Sequence, residues 1–172
     1  MTLRHTVLGL LLVSLLQVVV LAGEYLGAVY PHWSETTVKL KTIPVDPRSL
    51  FRGNYASLNY DISTLPVTLY KGPQQLRENE RVYVLLELDE DGISTARQVL
   101  LRPPAQGLFI RGRIKNRRWG NKDNLSIKYG IEAWFAPKRE ALALEKRLRS
   151  GALAEVSLAT NGKAALKAVI AD

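Results

Sequence analysis

The chain has no cysteine, which excludes disulfide staples, thiolate metal sites and a cysteine nucleophile and leaves the redox compartment open. Histidine is almost as scarce, with His5 and His32 both beside the apolar amino-terminal stretch. A His-rich metal centre or a Ser-His-Asp triad inside the folded part therefore has no imidazole to use. Internal repeats and low-complexity tracts are absent too, and no cofactor is expected. One polar, flexible-looking insert stands out, Lys71 to Glu80.

What is present is a chain of 172 residues, 47% hydrophobic and 23% charged, with a formal charge of +8. That composition folds without need of staples, and the excess of cations suits solubility or an anionic partner. From Thr6 to Gly23 the sequence TVLGLLLVSLLQVVVLAG carries no charge. At about 1.5 Å per residue the run reaches about 27 Å, close to the hydrocarbon thickness of a bilayer. Tyr25, Tyr30 and Trp33 follow, residues suited to the membrane interface. Arg4 precedes the run, whereas Glu24 and Glu35 come before the first later lysine, Lys39. The positive-inside rule then puts the amino terminus in the cytoplasm and the rest outside. Val20-Leu21-Ala22 also fits a signal-peptidase site, but the apolar run is long for a signal peptide, and an uncleaved anchor over 1–30 with a domain over 31–172 is expected.

Beyond the anchor the hydrophobic pattern alternates, the mark of half-buried strands. Thr36 to Ile43 sets Val38, Leu40 and Thr42 against Lys39 and Lys41. Tyr55 to Ser63 sets Ala56, Leu58, Tyr60 and Ile62 against Ser57, Asn59 and Asp61. Val82 to Leu88 leads through the turn Asp89 to Gly92 into Ser94 to Leu101. Leu108 to Ile114 and Ser126 to Phe135 read as a pair joined by a basic segment. Asn161-Gly162 is a hairpin signal between Ala154–Leu158 and Ala164–Ile170. Pro137 to Arg149 has helical spacing, with Pro at its start and Gly151 after its end. The expected fold is mainly β: an antiparallel sandwich or barrel of about eight strands with one short helix, preceded by one transmembrane helix.

Two blocks are more specific than any periodicity. One is Pro44 to Ser63, with Asp46, Arg48 and Arg52 ahead of Gly53-Asn54-Tyr55-Ala56-Ser57-Leu58-Asn59-Tyr60; the other is Tyr129-Gly130-Ile131-Glu132-Ala133-Trp134-Phe135. Together they resemble the GDYXXLXY family of bacterial membrane-anchored proteins, and with the anchor the resemblance spans nearly the whole chain. It implies an extracytoplasmic domain held by one helix in a bacterial inner membrane, beside a multi-spanning membrane protein, and it brings no assigned reaction. The sequence departs from the family string at Asn54, where the family has Asp. Asn serves a turn but not as a carboxylate base or a strong hard-metal ligand. The motif reads as a turn entering a core strand, with Leu58 and Tyr60 for packing.

Three constellations carry possible chemistry. A serine-lysine dyad would draw on Ser49 or Ser57 with Lys115 or Lys128, although no Ser-Met-x-Pro nucleophile block is present. Paired carboxylates would draw on Asp46, Asp61 and Glu132, while Glu87, Asp89, Glu90 and Asp91 read as an exposed turn. Glu132 is also placed to pair with Arg48 or Arg52. The third is a basic stretch of Arg111, Arg113, Lys115, Arg117, Arg118, Lys122 and Lys128 around Trp119, with Asp123 as its one acid, suited to headgroups or an acidic partner. Nucleic acid is not expected, since no base-reading motif appears. By elimination the sequence points to a membrane-anchored accessory subunit that assembles with another membrane protein, with an envelope hydrolase or an anionic-lipid or polyanion binder as alternatives.

Overall fold

The computed structural model describes residues 3–44, 55–72, 76–115, 123–135 and 151–171. The proline-free amino-terminal run forms α1 (Leu3–Val29) and ends in a 3-10 turn, Tyr30–Trp33, with Pro31 in its first turn. It is the one helix among the described residues that is long and apolar enough to cross a membrane, and its apolar stretch has no protein cover.

The described strands are β1 (Thr37–Ile43), β2 (Tyr55–Ser57), β3 (Asn59–Tyr60), β4 (Thr64–Pro66), β5 (Arg81–Leu88), β6 (Ser94–Leu100), β7 (Phe109–Ile114), β8 (Asn124–Lys128), β9 (Ala133–Phe135), β10 (Ala152–Leu158) and β11 (Ala164–Ala171). They form a sheet in the order β11-β10-β1-β3, a second in the order β4-β8-β7-β5-β6, and the pair β2-β9, all antiparallel. Tyr70, just beyond β4, bridges Val99 of β6, so the two edges of the second sheet meet in a nearly closed barrel. Ile93, leading into β6, bridges Lys39 of β1 and ties the sheets together.

The expected alternation holds where it can be seen. Val38, Leu40 and Thr42 are buried while Lys39 and Lys41 are exposed; Leu58, Tyr60 and Ile62 are buried opposite exposed Asp61. Inward residues of both sheets, among them Leu40, Tyr60, Val84, Ile110, Leu125 and Val156, join one hydrophobic cluster. Each fully buried aliphatic side chain there is worth about 1.5–3 kcal/mol.

Three differences from the expected elements have local causes. The stretch Tyr55 to Ser63 is two strands and a 3-10 turn (Asp61–Ser63), because its pairing partner changes: the Leu58 amide still bonds the Glu132 carbonyl at 2.8 Å, in register with the β2–β9 pair, whereas Asn59 and Tyr60 pair with β1. Ser126 to Phe135 is also two strands, broken at Gly130, whose φ of +84° no strand continues through. β4 was too short to announce itself, and it ends on Pro66, tolerable because β4 is an edge strand. The turn at Asp89 to Gly92 is as expected, with the Asp89 carboxylate accepting from the Asp91 and Ile93 amides. The helix expected over Pro137 to Arg149 lies outside the described residues.

Candidate functional site

The two motif blocks meet. β2 runs antiparallel to β9, with Tyr55 opposite Phe135, Ala56 opposite Trp134 and Ser57 opposite Ala133. Just beyond this seam, the Tyr60 hydroxyl donates to the Ile131 carbonyl and the Tyr129 hydroxyl to the Ile62 carbonyl, each at 2.6 Å. Tyr60 is fully buried and Tyr129 nearly so. Burial pushes both phenols well above their ordinary range, and the neighbouring Glu132 carboxylate adds to the shift. Both stay neutral donors.

Glu132 sits in the turn ahead of β9 rather than within a strand. Its carboxylate accepts from the Tyr129 amide at 2.5 Å and the Gly130 amide at 3.0 Å, closing the turn that Gly130 opens. Among the described residues, Glu132 therefore serves as a cap for backbone amides. Asp46, Arg48, Arg52, Gly53 and Asn54 lie outside the described residues, as does the pairing expected between Glu132 and Arg48 or Arg52. Leu58, Tyr60, Tyr129, Gly130 and Glu132 are brought together at one seam, joined by the backbone of Tyr55.

The basic patch is built by the alternation of β7. Ile110, Gly112 and Ile114 turn inward, which sends Arg111, Arg113 and Lys115 to the opposite face. Gly112 is needed for this packing, since a Cβ there would stand 2.5 Å from Ile127 Cγ2 and 3.0 Å from Tyr129 Cδ1. In the sheet, Arg113 lies directly opposite Arg81 of β5 on one side and Lys128 of β8 on the other. Its guanidinium donates to the Asn79 carbonyl at 2.9 Å, which fixes its direction. Lys163, from the β10–β11 turn, completes a groove of about 460 Å3 with six cationic residues against Glu78 and Glu132. Arg117, Arg118, Trp119 and Lys122 lie outside the described residues. Sequence reasoning missed Arg81 and Lys163 because they are remote along the chain from the basic segment.

A second cavity of about 330 Å3 adjoins the groove, sharing Lys115, Lys128 and Glu132 and adding Ser57, Ser63 and Ser126. It brings Ser57 and both candidate lysines to one place. Lys115 and Lys128 are exposed to solvent, whereas a lysine base for a serine nucleophile needs desolvation. Asp61 is exposed and lines neither cavity.

The groove ends at the foot of the domain. Lys163 Nζ donates to the Gly27 carbonyl near the end of α1 at 2.5 Å, a cation at the negative end of the helix. Tyr30 and Thr160 hydroxyls bond at 2.9 Å, Ser34 Oγ donates to the Leu158 carbonyl at 2.5 Å, and Ser157 Oγ donates to the Pro31 carbonyl. The Arg111 amide donates to the Gly162 carbonyl at 2.7 Å. Through these bonds the end of α1, the β10–β11 turn and the start of β7 form one docked unit.

Residues 17–169 match the family model described as GDYXXLXY protein. No curated protein and no solved structure gives a match to the chain.

Proposed function

The chain belongs to the GDYXXLXY family, and from that premise we propose that it is a single-pass, membrane-anchored accessory subunit that assembles with a multi-spanning membrane protein. The anchor covers residues 1–30, with its amino terminus in the cytoplasm, and the domain over 31–172 stands on the outer face of a bacterial inner membrane. The charge asymmetry of Arg4 before the apolar run and Glu24 and Glu35 after it supports this orientation. An uncleaved anchor is supported by the course of α1, which runs unbroken through Val20-Leu21-Ala22 to Val29.

The observation that carries the partner is Gln17. It lies inside the apolar run, six residues before its end at Gly23, is exposed, and has no side-chain partner among the described residues. A carboxamide facing hydrocarbon costs several kcal/mol unless it is hydrogen-bonded, and a neighbouring helix is the usual remedy. The docked foot favours the same reading, because the domain is held to the end of its anchor by several bonds rather than hung on a loose linker.

Affinity purification of the full chain in mild detergent tests this reading. A multi-spanning protein is expected to co-purify stoichiometrically, and Gln17→Leu is expected to lower its recovery while leaving the chain in the membrane fraction. Recovery of the chain alone, or a mature amino terminus beginning at Gly23, would count against it.

A further inference from the structure

We propose that the cationic groove on β7 is a binding site for an anionic membrane lipid whose headgroup carries two phosphates. Arg111 and Arg113 on β7 and Lys115, one residue past its end, occupy alternate positions and so share one face, spaced about 7 Å apart. Arg81 and Lys128 flank Arg113 from the neighbouring strands. Like charges set directly opposite one another in a sheet are destabilising. The ion pair joining two described side chains, Arg97 with Glu87, lies elsewhere. Of the two acids in the lining, Glu132 is committed to the Tyr129 and Gly130 amides. Among the described residues the lining sets six cations against two acids, one of them held by backbone amides, and such a concave site has a place for anionic oxygens.

The position of the groove selects the source of those oxygens. Lys163 belongs to the lining and also bonds the Gly27 carbonyl at the end of α1, and Arg111 is tied through its amide to Gly162 in the same turn. Gly27 is four residues beyond the end of the apolar run, about 6 Å along the helix. Exposed Tyr25, Tyr30 and Trp33 surround this level with side chains of the membrane interface. The end of the groove at Lys163 and Arg111 thus meets the headgroup layer, and the row from Arg111 to Lys115 extends over about 13 Å. One phosphate reaches Lys163 and Arg111; a second, further along the row, reaches Arg113 with Arg81 and Lys128. Guanidinium groups suit this role because they bind phosphate oxygens in pairs.

The inference rests on α1 staying in the bilayer, and not on the identity of any protein partner. The full chain in a neutral detergent is exposed to equal amounts of cardiolipin, phosphatidylglycerol and phosphatidylcholine, and retained lipid is read by mass spectrometry of the intact protein. Retention is expected in the order cardiolipin, phosphatidylglycerol, phosphatidylcholine. Arg113→Gln with Lys128→Gln is expected to lower cardiolipin retention by about 30-fold, taking a normal surface contribution for each basic residue removed. The charge-reversing Arg113→Glu with Lys128→Glu is expected to lower it further, and Arg97→Glu, outside the groove, to leave it unchanged. Melting curves of each variant show that the fold is kept. Retention indifferent to these changes, or equal for phosphatidylcholine, overturns the proposal. Binding of inorganic pyrophosphate as tight as that of cardiolipin, and lost in the same variants, assigns the groove to a soluble anion and overturns the membrane source. Release of the chain from membranes by alkaline carbonate removes the anchor premise, an outcome distinct from lipid indifference in a chain that stays bound.

Discussion

Tyr60 and Tyr129 hold the two motif blocks together from opposite sides, each donating its hydroxyl at 2.6 Å to a backbone carbonyl beside the other, Tyr60 to Ile131 and Tyr129 to Ile62. In this chain the two blocks are joined, at these positions, by a reciprocal backbone lock. Removing either hydroxyl leaves a buried carbonyl without its donor, at a cost of about 1–3 kcal/mol. Tyr60→Phe and Tyr129→Phe are each expected to lower the melting temperature of the full chain in detergent. Unchanged melting in both would remove the lock.

The same pair makes a pH prediction. Both phenols are raised above the ordinary value of about 10 by burial and by Glu132. As pH rises, the unfolded chain gives up these protons before the folded one, so the stability they contribute is full below about pH 10 and declines above it. Tyr60→Phe with Tyr129→Phe is expected to show a shallower alkaline fall in melting temperature than the unchanged chain. Parallel curves would count against the assignment.

Glu132 separates a structural from a catalytic carboxylate. Glu132→Ala leaves the amides of Tyr129 and Gly130 without their acceptor, a loss of about 2–3 kcal/mol. Glu132→Gln keeps one accepting oxygen and is expected to recover about half of that by thermal melting. A Gln variant as unstable as the Ala variant would mean that charge, not the cap, is what matters.

At Gly112 the core packs close against the basic strand. Gly112→Ala must displace Ile127 or Tyr129, with an overpacking cost of about 1–3 kcal/mol. A melting temperature equal to that of the unchanged chain would show that the barrel yields freely there.

Lys163→Ala removes the cation from the Gly27 carbonyl, an interaction worth about 0.3–1 kcal/mol. Amide exchange measured in detergent is expected to quicken between Val29 and Thr36 while that of β5 and β7 stays as it was. Equal exchange throughout would mean that the remaining bonds of Tyr30, Ser34 and Ser157 suffice for docking.

Much of the fold was legible because its signals are local. The alternation of Val38, Leu40 and Thr42 with lysines, the Asp89 turn and the Asn161-Gly162 hairpin each depend on residues a few positions apart. Gly162 sits at a φ of +76° and packs against Phe109, a conformation and a closeness that suit glycine. The breaks at Leu58 and Gly130 were harder to read, because alternating apolar residues continue through both. Tyr-Gly within the Ser126 to Phe135 run was the available sign, as a glycine inside a strand pattern marks a bulge or turn.

The site divides the same way. Sequence alone determined a run long and apolar enough to cross a membrane, the β-rich character and the family, since each rests on composition, period or a contiguous motif. It also exposed the cations on and just past β7, from Arg111 to Lys115, together with Lys128. Only the tertiary structure decided that the two motif blocks form one seam, that Arg81 and Lys163 join those cations in a groove, and that the groove meets the end of α1. The reason is physical: strand pairing and docking bring together residues far apart in the chain, and no local pattern records which partner a strand edge or a buried hydroxyl will find.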